Sequence, residues 1–385
     1  MLANVVHTDL NYHGGSERLA IATILALSNM GMDVELTLLK RPSLLKLDKI
    51  YGKTATSILK GIKKVNILRS YARSYSKNNH VLTINTAADI LPYFSSDFSM
   101  NNAIVYCHFP SAIYRMESRD PNYIQFLNQL NLSSIETFSR GQDYLKLVSN
   151  TFLNMMLNSE VLTNSQYSRN AISKEFGVDS TVVNPPVDVD TFRNNSLYSN
   201  HRKEVILVVS RFHPIKKVEN ALRLAKALKF NKIGTSMKII GTLAKDCLGY
   251  YLYLKRMIKK HNLADYVTLE TNIKFNTLLE AMHGAMIYFH TFPGEPFGIS
   301  TVEAMSAGLV PVVPDIGGHT EFVPVKYQFH TLGEAVEVVA SALDVSLSER
   351  VSLSDSVRKY SIQNYIERFQ QICDRVNIDR NSNNF

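Results

Sequence analysis

Gly294-Glu295-Pro296-Phe297-Gly298-Ile299-Ser300-Thr301-Val302-Glu303-Ala304-Met305 sets two carboxylates around a glycine-containing turn that opens directly into a helix. Ahead of it, Met286-Ile287-Tyr288-Phe289 reads as a short buried strand, which Pro293, Gly294 and Pro296 break. Behind it, Ile299 to Ala307 has helical character that Gly308 ends, and Leu309 to Val313 is a second apolar run. A helix starting near Gly298 has free backbone N–H groups in its first turn, and these together with the helix dipole attract a diphosphate. A carboxylate beside a phosphate would repel it. Glu295 in the loop and Glu303 one turn inside the helix therefore suit neutral hydroxyls, one on a sugar and one on a ribose, and a nucleotide sugar carries both. A Glu-x7-Glu pair alone reads equally well as caps on a surface helix. The Pro-Phe-Gly turn, the following Glu-Ala-Met-Ser-Ala-Gly and the flanking strands favour the ligand.

Outward from this stretch, apolar runs at Val205 to Val209, Met237 to Ile240 and Val267 to Glu270 alternate with helical patterns. The first half repeats the alternation, with runs at Ala3 to Val6, Val34 to Leu39, Val81 to Ile84, Ile104 to Tyr106 and Val161 to Thr163. Helical patterns at Leu19 to Met30 and Tyr167 to Phe176 lie between some of them. Strand and helix in turn imply parallel sheets wrapped by helices. Residues 127–157 read as a surface-facing pair of helices. Asn184-Pro185-Pro186-Val187-Asp188 enforces an extended path and reads as a linker. An amphipathic helix is expected at Ile362 to Val376, and disorder only in the tail from Asp379 to Phe385.

Other stations follow strand ends. Arg211 and Lys216, in Ser210-Arg211-Phe212-His213-Pro214-Ile215-Lys216-Lys217, sit after the first strand of the second half, at the sheet edge where open α/β folds bind ligands. A guanidinium fork and a compact ammonium suit a diphosphate, although isolated cations are ordinarily just surface residues. Gly14-Gly15 enters the first helix, where paired glycines let a backbone approach a ligand or simply make a turn. No Gly-x-Gly-x-x-Gly follows that first strand, which argues against a nicotinamide or flavin enzyme. His108, in Tyr106-Cys107-His108-Phe109-Pro110, ends another strand, and Ser165 is placed to cap the helix that follows Asn164.

The stretch from Gly294 to Met305, with its continuation Pro311-Val312-Val313-Pro314-Asp315-Ile316-Gly317-Gly318-His319-Thr320-Glu321-Phe322-Val323, resembles the donor site of retaining glycosyltransferases of family 4. That resemblance implies an α/β chain of GT-B fold, two Rossmann-like parallel-sheet domains facing a central cleft. Residues 1–185, completed by a C-terminal helix at 361–378, would form the acceptor-side domain, and 186–360 the donor domain. It further implies that His108, Arg211, Lys216 and Glu295 serve catalysis. Gly14, Gly15, Phe297, Gly298, Ile299, Ser300 and Glu303 would bind a nucleoside diphosphate sugar, with no other cofactor. Glu295 would position the sugar ring and Glu303 the ribose. Cys107-His108-Phe109-Pro110 is also similar to mannosyltransferases that extend lipid-linked oligosaccharides. The expected reaction is transfer of a hexose, mannose, glucose or N-acetylglucosamine, to a hydroxyl of a glycan or lipid-linked acceptor. The alternatives are a sugar-nucleotide epimerase on a related fold and a non-catalytic nucleic-acid-binding protein. No aromatic and basic interleaving on a recognisable nucleic-acid fold supports the last.

Composition fits. The 385 residues suffice for two cores, and 45% hydrophobic with 20% charged is ordinary for a globular protein. No apolar run approaches the ~20 residues that span a bilayer, and no signal pattern opens the chain, so a cytoplasmic protein is expected. Three widely spaced cysteines show neither a disulfide framework nor a metal-ligand pattern, and no Asp-x-Asp-like metal cradle stands out. The net charge of +8 suits an anionic partner. Lys46, Lys49, Lys53, Lys60, Lys63, Lys64, Arg69, Arg73 and Lys77 fall in one stretch with Asp48 its single acid. Ile58, Leu59, Ile62 and Val65 recur there at helical spacing, so segment 46–77 reads either as a solvated face or as an amphipathic helix touching anionic membrane.

Overall fold

The computed structural model describes residues 1–12, 14–47, 57, 59–67, 82–91, 103–118, 120, 142–193 and 202–382. The chain divides into two compact units, Met1–Pro186 with Ile362–Phe385, and Val187–Ser361. No helix among the described residues is long and apolar enough to cross a membrane.

In the first unit β1 (Leu2–Val6), β2 (Asp33–Leu38), β3 (Lys64–Ile67), β4 (Leu82–Asn85), β5 (Ala103–Tyr106), β6 (Glu160–Thr163) and β7 (Thr181–Val182) form one sheet. Its order is β3-β2-β1-β4-β5-β6-β7, and every pairing is parallel. Val5 pairs with Leu36 on one side and Ile84 on the other, and all three are wholly buried. A parallel sheet is covered on both faces, which is why its strands read as unbroken apolar runs. Helices α1 (Gly15–Asn29), α2 (Ser111–Glu117), α3 (Gln142–Leu157) and α4 (Gln166–Phe176) accompany it. Ser165 caps α4 by accepting from the Ser168 N–H at 3.0 Å. The C-terminal helix, Ile362–Ser382, lies against α1. Tyr365, Ile366, Phe369, Ile372 and Cys373, spaced one and two turns apart, are buried in one cluster with Leu19, Ala20 and Leu27.

The structure corrects three expectations here. Lys64 and Val65 stand in a parallel edge strand rather than an amphipathic helix, because their backbone pairs with Glu35 and Leu36. Leu59 and Lys60 are helical, with Leu59 buried in the core of the unit and Ile62 packed against it, while Ile58, Lys49, Lys53, Arg69, Arg73 and Lys77 lie outside the described residues. Helix α3 does not merely face solvent: Phe152, Met155 and Met156, at positions i, i+3 and i+4, are buried. Its expected companion, at 127–141, also lies outside the described residues. Finally, the last helix runs through Ser382 instead of ending before Asp379, since each residue added to an existing helix gains a backbone bond.

The second unit contains β8 (Lys203–Val209), β9 (Ser236–Gly241), β10 (Val267–Thr271), β11 (Ala285–Phe289), β12 (Val310–Pro314) and β13 (Gln328–Phe329), in the order β10-β9-β8-β11-β12-β13. All pairings are again parallel, with Ile287 of β11 set between Ile206 and Val310. Helices α5 (Glu219–Phe230), α6 (Leu248–Lys260), α7 (Phe275–Gly284), α8 (Ile299–Ser306), α9 (Leu332–Leu343) and α10 (Leu347–Ser356) cover it. The two ends of this unit meet. Val187 donates its N–H to the Tyr360 carbonyl at 2.9 Å and forms a bridge with Ser361. The strand order reverses between β8 and β11, whose carboxyl ends therefore open a crevice into which both following loops project.

Candidate functional site

The loops after β8 and β11 are tied together by side chains. Thr291 donates its hydroxyl to the Lys216 carbonyl at 2.7 Å, and Asn220 donates its amide to the Thr291 carbonyl at 3.1 Å. Lys216 ends a short 3-10 turn, Pro214–Lys216, which His213 caps by accepting from the Ile215 N–H. From there Lys216 Nζ reaches Glu295 Oε2 at 2.6 Å, and His290 Nε2 stands 3.4 Å from the same oxygen. Burial by itself would raise the Glu295 carboxyl, but the Lys216 ammonium and His290 outweigh it and hold Glu295 far below the usual carboxylate range. Lys216 also lies over the Phe292 ring, 5.2 Å from its centre. Arg211, five residues earlier, is exposed at the same sheet edge.

Two glycines fix the carboxylate loop. Gly294 donates to the Ile316 carbonyl at 2.8 Å and Gly318 to the Glu295 carbonyl at 2.7 Å, so the loop is stitched to the turn that follows β12. A Cβ on Gly318 would lie 2.0 Å from the Pro296 carbonyl oxygen, a backbone approach that only glycine permits. The chain then turns into α8 through Gly298, whose φ of 101° is left-handed. Thr301 and Val302 turn their N–H groups back to the Gly298 carbonyl, while those of Ile299 and Ser300 have no backbone acceptor among the described residues. They are the free donors that a helix start presents. Ser300 directs its hydroxyl to Tyr288 at 2.8 Å. Glu303 lies one turn along α8 and is buried. Phe297 spends its side chain in the core, against Phe322 and Tyr360 with ring centres 5.3 and 5.2 Å away, so its backbone alone is left for a ligand.

Gly14, Gly15 and His108 belong to the first unit, Arg211, Lys216, Glu295 and the α8 residues to the second. Gly14 caps α1 in an extended conformation and Gly15 is its first residue. A Cβ on Gly14 would meet Glu17 Oε2 at 2.3 Å, so the glycine lets that buried acid fold back over the helix start. Burial works to raise Glu17, and His7 overcomes this and lowers it, with Nε2 3.9 Å from Glu17 Oε1. The other nitrogen of His7 lies 3.0 Å from Thr86 Oγ1, across the reversal of strand order between β1 and β4. His108 follows β5. Burial holds its imidazole below the ordinary range, against the opposing pull of Asp89, and its Nε2 is buried without a hydrogen bond among the described residues.

Sequence reading passed over His290 and His319. His319 packs its ring 5.1 Å from His290, and its Nε2 lies 2.7 Å from the Pro314 carbonyl, to which it donates. Burial first, then His290, brings it down to about 3, so it is neutral. A histidine beside a glycine turn was the available signal. Of the basic segment, Lys63 is paired with Asp33 at 2.6 Å. No group of three or more His, Cys, Asp or Glu among the described residues is placed to hold a metal ion.

Comparison with known proteins adds three findings. Residues 190–363 match the family described as "Glycosyl transferases group 1". The chain is similar to the "GDP-Man:Man(3)GlcNAc(2)-PP-Dol alpha-1,2-mannosyltransferase" of Dictyostelium discoideum, 26% identical over 290 residues, or 69% of this chain and 57% of that one. To the human protein of the same name it is 28% identical over 215 residues, 51% and 44% of the two chains. It thus spans about half the length of these curated relatives. Among solved structures, Anabaena Alr3699/HepE in complex with UDP superposes with TM-score 0.68 at 15% identity over all of both chains. Sucrose-phosphate synthase from Thermosynechococcus elongatus gives 0.69 at 12% over 99% of each. At such identities the likeness is one of fold.

Proposed function

We infer, from a chain that carries a group 1 glycosyltransferase domain on the GT-B fold, that it transfers a hexose from a nucleoside diphosphate sugar to a hydroxyl of a glycan or lipid-linked acceptor, with retention at the anomeric carbon. The names of the curated relatives favour mannose from GDP-mannose. The observation that carries this reading is the Lys216–Glu295 pair, set where the strand order reverses and in the same loop that leads into the open N-terminus of α8. Cleavage of the glycosidic bond builds charge on the departing diphosphate, and fixed cations and aimed N–H dipoles stabilise it. Lys216, Arg211 and the N–H groups of Ile299 and Ser300 supply them. Glu295, held ionised, accepts hydrogen bonds from the sugar hydroxyls, and Glu303 from the ribose. Gly14, Gly15 and His108 are assigned to the acceptor and sugar side.

The charge is met by protein groups, so turnover should survive EDTA. Segment 46–77 remains the proposed contact with an anionic membrane on its cytoplasmic face, and this rests on the sequence.

A panel of nucleotide sugars tests the reading by thermal shift, because a ligand at a hundredfold excess over its Kd adds about 2.7 kcal/mol to stability. GDP-mannose should stabilise most, and incubation with acceptor should release GDP and glycosylated product. Stabilisation by no nucleotide sugar, or an isomerised donor with no product, would overturn it.

A further inference from the structure

A line of polar groups runs from the first turn of α8 to Lys216. Ser300 Oγ lies 2.8 Å from the Tyr288 phenol oxygen, which lies 3.0 Å from His290 Nδ1. On the far side of that imidazole, Nε2 stands 3.4 Å from Glu295 Oε2, itself 2.6 Å from Lys216 Nζ. Tyr288 is 0% exposed and His290 6%.

The direction of each bond follows from chemistry. His290 Nε2 makes no hydrogen bond among the described residues, and the ionised carboxylate 3.4 Å away can only accept, so a proton on Nε2 is the arrangement that this contact favours. In the neutral ring Nδ1 then accepts, so Tyr288 donates to it and the Ser300 hydroxyl donates to Tyr288. Burial pushes the Tyr288 phenol up, which keeps the proton it has to give. The remaining groups around the line agree. His319, from the turn Gly318–Glu321, faces His290 as a neutral ring, and Glu303 of α8 acts on Tyr288 as a second acid besides Glu295.

We propose that His290 is a positioning residue for Glu295, its ring locked in the Nε2–H form by Tyr288 and Ser300. A carboxylate bonded on Oε2 to an ammonium, with the imidazole nitrogen 3.4 Å from the same oxygen and able to close on it, keeps one orientation and leaves Oε1 for a hydroxyl of the ligand. The N–H of Ser300 stays available at the start of α8 while its hydroxyl is committed to Tyr288. What Glu295 does with that orientation rests on the donor-site reading; the line of polar contacts does not.

Three variants and one spectrum decide it. His290→Gln carries an amide N–H near the place of Nε2, whereas His290→Asn mimics only the Nδ1 side. The expected result is Gln within about threefold of the wild-type kcat and Asn down about tenfold or more, with donor KM little changed in both. Those folds correspond to one hydrogen bond to a charged group. Tyr288→Phe removes one buried oxygen and keeps the ring. In 15N spectra of histidine side chains, His290 should show the Nε2–H form in the wild type and a shift toward mixed tautomers in Tyr288→Phe. Equal losses in Gln and Asn, or a tautomer indifferent to Tyr288→Phe, would overturn the proposal. Should the chain turn over no nucleotide sugar, the functional reading fails and the spectrum, which needs no substrate, still decides this one.

Discussion

Lys216 and Glu295, 79 residues apart in the chain, meet as an ion pair at 2.6 Å with about four-fifths of each side chain covered. A pair so placed draws each partner into a fixed orientation and leaves either one uncompensated if the other is removed. In the proposed reaction the Lys216 ammonium, which has three N–H donors, adds a phosphate oxygen while it keeps this carboxylate. Lys216→Ala should therefore lower kcat/KM by about 10²–10³, equivalent to ~2.7–4 kcal/mol, as for a lost oxyanion donor. Steady-state kinetics on a variant shown to fold would check it, and a loss under threefold would count against the assignment.

The pH dependence of stability separates two groups. His319 ordinarily titrates near 6.5 and is brought down to about 3 by burial, so below pH 6.5 the unfolded chain takes up a proton that the native one refuses. Stability should fall by up to about 1.4 kcal/mol per pH unit from this residue between pH 6.5 and 3, and not above. Glu295 is depressed from 4.5, so its contribution is complete above that pH and is lost only as pH falls further. Urea unfolding from pH 7 to 5 leaves Glu295 out, and because burial holds His108 low as well, the contribution of His319 is read as the difference between wild type and variant. His319→Asn should flatten the curve there, and an unchanged slope would refute the neutral assignment.

Gly318 and Gly249 make a matched contrast. Alanine at 318 must push its Cβ into the Pro296 carbonyl, whereas Gly249, in α6, has nothing within 4 Å of that position. Gly318→Ala should abolish nucleotide-sugar binding or prevent folding. Gly249→Ala should raise stability by roughly 0.5–1 kcal/mol through the entropy of the unfolded helix segment. Thermal melts of the two proteins, run side by side, provide the comparison.

The C-terminal helix offers a cleaner single-bond test. Thr23 donates its hydroxyl to the Leu19 carbonyl at 2.8 Å, so the Tyr365 phenol, 2.7 Å away, must donate to Thr23. Tyr365→Phe removes that donor and leaves Thr23 bonded, so the cost should be about 0.5–1.5 kcal/mol in denaturant unfolding. A loss of several kcal/mol would mean that the ring itself had shifted.

These contacts mark where sequence reading reaches and where it stops. Val205 to Val209 and Met286 to Phe289 declared themselves as strands because parallel strands covered on both faces are apolar throughout. Lys64-Val65-Asn66-Ile67 did not, since an edge strand has one partner and little burial to impose a pattern. Lys216 and Glu295 each drew attention, one as a cation and one as an acid by a glycine turn. Their pairing was not legible, because it follows from β8 and β11 being neighbours in the sheet. His290 and His319 carried no periodic signal; their roles come from a phenol and a carbonyl that folding alone brings within reach.

The hydrogen bond between Val187 and Tyr360 has a consequence for protein engineering. Because the second unit begins and ends at one spot, residues 187–361 are topologically a closed cassette, entered and left through adjacent doors. Such a segment can be lifted out as a single recombinant fragment with no strand of its sheet cut. The same geometry suits it to rejoining head to tail, with new termini opened in an exposed turn elsewhere.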